Sequence, residues 1–243
     1  MRQSADLSSS GGSVICKPRA AALTGRMKHA LITAATCALL PLSAAAHPHL
    51  FIDAGVTLIY DGGDLTAVQV EWVYDDFYSL LITQDYGLDP DGDGVLTDDE
   101  TAALQGFDSD WEPGFDGRLF LLAEGRRIAL DPGRDFTAEY RDGQIISRHI
   151  RDLSPPIAGD GLVIARIYDP EFYVDFTVPN APHVQGRDDC RVDLTPGDNR
   201  AAAAAYRAAV DQALRDTDAT EETVIVDIGA AGAAEMRIHC GGA

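Results

Sequence analysis

Two alternating runs rich in β-branched and aromatic residues, Leu50 to Tyr60 and Leu65 to Tyr74, are separated only by Asp61-Gly62-Gly63-Asp64. Alternation at period two sends successive side chains to opposite faces of a strand. A Gly-Gly pair flanked by aspartates supplies the positive φ angles of a tight hairpin. This hairpin commits the chain to an antiparallel sheet with one buried face. Similar short runs follow: Arg118 to Ala123, Arg127 to Leu130, Phe136 to Tyr140, Gln144 to Ile150, Gly161 to Tyr168 and Phe172 to Val178. Gly125, Asp131-Pro132-Gly133, Asp142-Gly143 and Pro155-Pro156 punctuate them, as in an antiparallel meander. Cys190 to Leu194 and Thr223 to Ile228 read as further strands, and Met236 to Cys240 as an edge strand closing the chain.

From Asp75 the period changes. Phe77, Leu80, Leu81 and, two turns on, Leu88 could share the apolar face of a short helix, with Gln84 interrupting it. That helix leads into an acidic loop, and a second helix is expected from Thr97 to about Phe107. Asn199 to Asp216 is alanine-rich, with Tyr206, Val210 and Leu214 at helical spacing, and predicts a longer helix. A polar connection follows over Thr217 to Glu222. The expected fold class is α+β: a single β-rich, antiparallel, sandwich-like domain with an inserted EF-hand-like helix-loop-helix over 75–107 and a C-terminal helix.

Ahead of the hairpin, Met27-Lys28-His29 and the apolar run Ala30 to Leu42 have the layout of a secretory signal peptide, and Ala44-Ala45-Ala46 supplies small residues for cleavage. The apolar run is shorter than the roughly 20 residues a membrane span needs. Residues 1–26 read as an upstream extension before a true start at Met27, 27–46 as the signal, and 47–243 as one exported domain with no membrane anchor after cleavage. Five of the 19 Lys and Arg and one of the 39 Asp and Glu precede His47, which leaves a net charge of −24 for the exported chain. Such a field repels nucleic acid and anionic membrane and attracts cations.

The loop Asp89-Pro90-Asp91-Gly92-Asp93-Gly94-Val95-Leu96-Thr97-Asp98-Asp99-Glu100 has oxygen donors at EF-hand spacing. Asp89, Asp91 and Asp93 would offer carboxylates, Val95 its carbonyl, Thr97 a direct or water-mediated contact and Glu100 two oxygens, while Gly94 permits the sharp turn. Hard oxygen donors in this number suit Ca²⁺. A lone loop in an exported protein reads as a structural staple rather than a sensor.

Cleavage after Ala46 would leave His47-Pro48-His49 at the mature N-terminus, where an α-amine and two imidazoles offer nitrogen donors that suit zinc, nickel or copper. Pro48 has no N–H, so the square-planar terminal chelate through backbone amides is excluded and the fold must supply further ligands. Asp53 and His183 are the leading candidates, with His149 and His239 behind them; His149 lies in a strand pattern where a hydrogen-bonded structural histidine is more usual. In an oxidising compartment Cys190 and Cys240 are most simply a disulfide, and a metal site of Cys190, Cys240 and His239 is the alternative. Glu71 to Tyr78 and Tyr168 to Tyr173 are two aromatic-acidic clusters that look paired. Asp75, Asp76, Asp169 and Glu171 could line a cleft as acid and base, or cap turns and helices, and the second is favoured. No nucleophile motif, phosphate loop or dinucleotide fingerprint is present.

The opening His47-Pro48-His49-Leu50-Phe51-Ile52-Asp53, the acidic loop, Tyr168-Asp169-Pro170-Glu171-Phe172-Tyr173 and the late Cys190 and Cys240 together resemble the exported bacterial family "domain of unknown function 1007". The resemblance covers essentially all of the chain after the signal. It implies the periplasmic component of a transport system, associated with nickel/cobalt-type permeases, with His47, His49 and Asp53 matching the opening motif. The expected function is therefore a non-enzymatic periplasmic accessory that binds Zn²⁺, Ni²⁺ or Co²⁺ and meets an inner-membrane metal transporter. Two alternatives are a copper enzyme with an N-terminal histidine brace, needing a third nitrogen from His149 or His183, and a calcium-stabilised binding module without a transition metal.

Overall fold

The computed structural model describes residues 48–216 and 225–241, which fall in one compact unit. The upstream extension, the signal segment, His47 and the polar connection lie outside these residues. In chain order the elements are β1 (Leu50–Asp61), β2 (Asp64–Tyr74), α1 (Asp76–Asp85), α2 (Asp98–Leu104), β3 (Leu119–Ala123), β4 (Arg126–Ile128), β5 (Arg134–Arg141) and β6 (Gln144–Ala158). Then come β7 (Gly161–Ile167), β8 (Val174–Thr177), β9 (His183–Gln185), β10 (Arg191–Thr195), α3 (Asn199–Asp216) and β11 (Glu235–Cys240).

The hairpin forms as its pattern dictates. β1 and β2 pair antiparallel down to Asp61 opposite Asp64, with Gly62 and Gly63 at φ +58° and +93°. Ile52, Ala54, Val56, Leu58 and Tyr60 point inward while Phe51 and Asp53 face out. β2 is the centre of one sheet, ordered β5-β6-β2-β1-β8 with β9 also on β1, and the second sheet is ordered β10-β11-β7-β3-β4. Leu58, Leu65, Val68 and Val70 from the first sheet share one core with Leu121, Ala165, Met236 and Ile238 from the second. Each such large aliphatic side chain contributes about 1.5–3 kcal/mol by leaving water. The protein is thus β-rich, with two mostly antiparallel sheets and a few helices. Among the described residues no helix is long and apolar enough to cross a membrane.

Several expectations are corrected. The meander is not wholly antiparallel, because β8 and β9 both pair parallel to β1. β6 continues past Pro155-Pro156 to Ala158, since the ladder to β2 breaks between Leu65 and Ala67 and no N–H is demanded of the prolines there. β11 is not an edge strand: it lies between β10 and β7 and is paired on both sides. Residues 225–228 form no strand, and His183–Gln185 form a short strand that the sequence pattern does not announce. The second helix is confined to Asp98–Leu104.

The most informative correction is α1, where three residues of the expected apolar stripe face out, although Leu88 beyond the helix is buried and Tyr78 and Ile82 pack against the core. Phe77 is 68% exposed, Leu80 50% and Leu81 39%, whereas Ser79 and Thr83 are buried. Hydrogen bonding decides this orientation. Asp75 caps the helix by accepting from the N–H of Tyr78, and its other carboxylate oxygen accepts from the N–H of Phe51 on β1. The Ser79 hydroxyl then donates to the carbonyl of Tyr74 and accepts from the N–H of Ile145 on β6. A buried serine that satisfies two strand-end groups outweighs exposed leucines, because an orphaned buried amide costs about 1–3 kcal/mol. Gln105, just after α2, stitches the same region to β5, donating to the carbonyl of Ala138 and accepting from its N–H.

Candidate functional site

The acidic loop between α1 and α2 is held by its own carboxylates. Asp89 accepts from the N–H groups of Asp93 and Gly94, and Asp93 accepts from Val95. Gly94 turns at φ +79°, where any side chain would be strained. Thr97 and Glu100 form a capping box at the start of α2. Glu100 also reaches across to accept from the N–H of Asp89 at 3.0 Å, so one carboxylate joins both ends of the loop. The N–H and hydroxyl of Thr97 hold the Glu100 carboxyl below its usual pKa. Carboxylate oxygens of Asp89, Asp91 and Asp93 all lie within 4.8 Å of one another. Three like charges this close repel, and a divalent cation at their centre removes that cost.

The N-terminal residues are placed differently from one another. His49 is exposed just before β1, its N–H donating to the carbonyl of Tyr173 and its ring 4.9 Å from the Tyr173 ring. Asp53 lies four residues along the same outward row, roughly 13 Å away at strand rise, with Phe51 between. His183 is opposite Thr57 on β9, eight residues and roughly 26 Å along the strand from His49. The fold therefore does not bring His183 to His49, and neither does it bring His149, which is buried on the inward face of β6. His47 lies outside the described residues. Among them, the acidic trio is the group of three potential ligand side chains that converges.

His149 is structural, but not in the hydrogen-bonded way its strand position suggested. It is 1% exposed, and its ring nitrogens have no protein partner among the described residues. Trp72, Trp111 and Phe136 enclose the ring at centroid distances of 5.0, 4.9 and 5.4 Å. Burial, with the Arg151 guanidinium adding to it, pushes its pKa down to about 3, so the ring is neutral. Arg151 is itself buried, donating to the backbone carbonyls of Asp131, Asp116 and Leu130.

The two aromatic-acidic clusters do meet. Trp72, Tyr74 and Tyr78 from one and Asp169, Glu171 and Tyr173 from the other line one cavity of about 340 Å³. The acids largely serve the fold. Asp75 is the α1 cap, and Asp169 pairs with Arg118 at 3.1 Å while accepting from the N–H groups of Glu171, Tyr173 and Val174. Sequence inspection missed Arg118 and Phe115 on this cavity, and no local motif marks either. Tyr74 donates to Asp108, another carboxylate that no pattern singled out. Burial raises the pKa of Asp108 even though Tyr74 donates to it.

Cys190 and Cys240 form a disulfide that ties the start of β10 to the end of β11. This closes the alternative of a Cys190-Cys240-His239 metal site, since the bonded sulfurs have no thiolate to give and His239 points to the opposite, exposed face of β11. A family model described as protein of unknown function (DUF1007) matches residues 32–240, and the chain belongs to that family. No curated protein matches.

Proposed function

We propose that this member of the DUF1007 family is an exported, periplasmic accessory protein for divalent cations. In this reading the loop Asp89–Glu100 is EF-hand-like and takes Ca²⁺ as a structural ion. The terminal His47-Pro48-His49 segment presents Zn²⁺, Ni²⁺ or Co²⁺ to an inner-membrane metal transporter. The observation that carries the first half is the convergence of the Asp89, Asp91 and Asp93 carboxylates, with Glu100 bridging the loop's ends. The Cys190–Cys240 disulfide agrees with an oxidising compartment. The second half is supported by the exposure of His49 and by the resemblance of the opening His47 to Asp53 segment to that family. With Asp53 and His183 far along the strand, ligands completing that site come from His47, its α-amine or the transporter.

The test uses protein beginning at His47. At 10 mM Ca²⁺ and a dissociation constant on the order of 10⁻⁴ M, binding adds about 2.7 kcal/mol and raises the melting temperature by roughly 5–10 °C. Asp89→Ala should abolish that rise, and an unmoved melting temperature in the wild type refutes the calcium loop. Calorimetry should detect binding of at least one of the three transition metals, weakened by His49→Ala. If none of them binds, the transport half fails. The calcium-stabilised binding module then stands, a reading favoured by the aromatic cavity beside β1.

A further inference from the structure

The cavity beside β1 has a chemistry that neither cation site uses. Trp72, Tyr74, Tyr78, Phe115, Tyr173 and Phe176 line it. Trp72, Tyr74 and Phe176 are buried, and Tyr173 at the rim is half exposed. The rings form a continuous wall: Tyr74 stacks on Tyr78 at 5.2 Å and meets Trp72 edge-on at 6.4 Å, and Phe176 lies 6.1 Å beyond Trp72. A volume of about 340 Å³ is in the range of small-molecule sites.

Charge then selects the ligand. Arg118 is the one basic residue of the lining, and it is already neutralised by Asp169 at 3.1 Å and lies over the Phe115 ring at 5.2 Å. Asp169 in turn is saturated by Arg118 and three backbone N–H groups. The charge left uncompensated in the lining is the exposed carboxylate of Glu171. Aromatic faces carry negative quadrupole density and attract cations, but they offer no lone pairs to a metal ion and repel an anion. Apolar walls suit a cation whose charge is spread over alkyl groups. The geometry points to a site for an organic ammonium cation, with the rings around the methylated nitrogen and Glu171 at the mouth. This inference does not rest on the calcium loop or on a metal at His49, although Tyr173 at the rim also touches the His49 ring.

Trp72 reports on the site directly because it lines the cavity, and Trp111 stacks beside the Trp72 ring at 6.3 Å. The experiment titrates protein beginning at His47 with choline and with tetramethylammonium, followed by tryptophan fluorescence, beside the neutral isostere 3,3-dimethylbutan-1-ol. Saturable binding of both cations is expected, with the alcohol at least fivefold weaker. Tyr173→Leu should raise the dissociation constant for choline roughly five- to thirtyfold, the worth of one ring. Glu171→Gln should weaken it less and make binding less salt-dependent. Melting curves confirm that each variant is folded. Equal binding of the alcohol overturns the cation assignment. So does the absence of saturation with either cation, or an unchanged affinity in both Tyr173→Leu and a folded Tyr78→Leu variant.

Discussion

Replacing His149 by phenylalanine should flatten the acid dependence of stability. In the native protein the ring is enclosed by Trp72, Trp111 and Phe136, and its pKa is pushed down to about 3. In the unfolded chain it returns to about 6.5. The unfolded state therefore binds the proton more readily, and stability present above pH 6.5 is lost as pH falls toward 3. Between pH 8 and pH 5 that loss is about 2 kcal/mol for this one group, because the folded ring stays neutral throughout. With a urea slope of about 2 kcal/mol per molar, the midpoint should fall by about 1 M from this source alone. His149→Phe removes that component and leaves every other titrating group in place. Any cost of fitting the new ring is independent of pH and cancels in the comparison. Urea unfolding at pH 8 and pH 5, read by the fluorescence of Trp72 and Trp111, measures both slopes. Equal pH slopes in wild type and variant would refute the reasoning, since the buried ring would then be accepting a proton in the folded state.

The inverted helix α1 makes a paired prediction: Ser79→Ala, which strands the N–H of Ile145, should cost about 1–3 kcal/mol, while Leu80→Ser should change stability by no more than about 0.5 kcal/mol. Denaturant midpoints check the order, and a costlier Leu80 change would mean that the apolar face is covered. Arg151→Met should lose about 3 kcal/mol, because three backbone carbonyls lose one charged, buried donor together; equilibrium unfolding at neutral pH measures it. Cys240→Ser should lose about 4 kcal/mol, the loop-closure value for a sequence separation of 50, and reduction of the wild type should reproduce that loss.

The hairpin, the Ala-rich helix and the acidic loop were legible because each is specified by neighbours in sequence. Period-two alternation over Leu50 to Tyr74, helix formers over Asn199 to Asp216, and Gly94 between spaced aspartates all act within a few residues. The pairing of the two aromatic-acidic clusters was legible too, through their matched composition. Strand order was not, since nothing local tells β8 and β9 to run parallel to β1, or β11 to slip between β10 and β7. Those pairings follow from covering both faces of a shared core.

The candidate site divides along the same line. Asp89, Asp91, Asp93 and Glu100 come together because a twelve-residue loop can fold back on itself without help from the rest of the chain. His49, Asp53 and His183 carry suitable donors but are separated by strand register, which no composition reveals. The face that α1 buries, the isolation of His149 and the Arg118–Asp169 pair in the aromatic cavity likewise depend on partners distant in sequence. Sequence alone determined the hairpin, the Ala-rich helix and the acidic loop, and where charge and aromatic rings are concentrated, since propensity and periodicity are local. The tertiary structure alone decided which of those groups meet, because burial and hydrogen-bond satisfaction are settled only when distant strands are side by side.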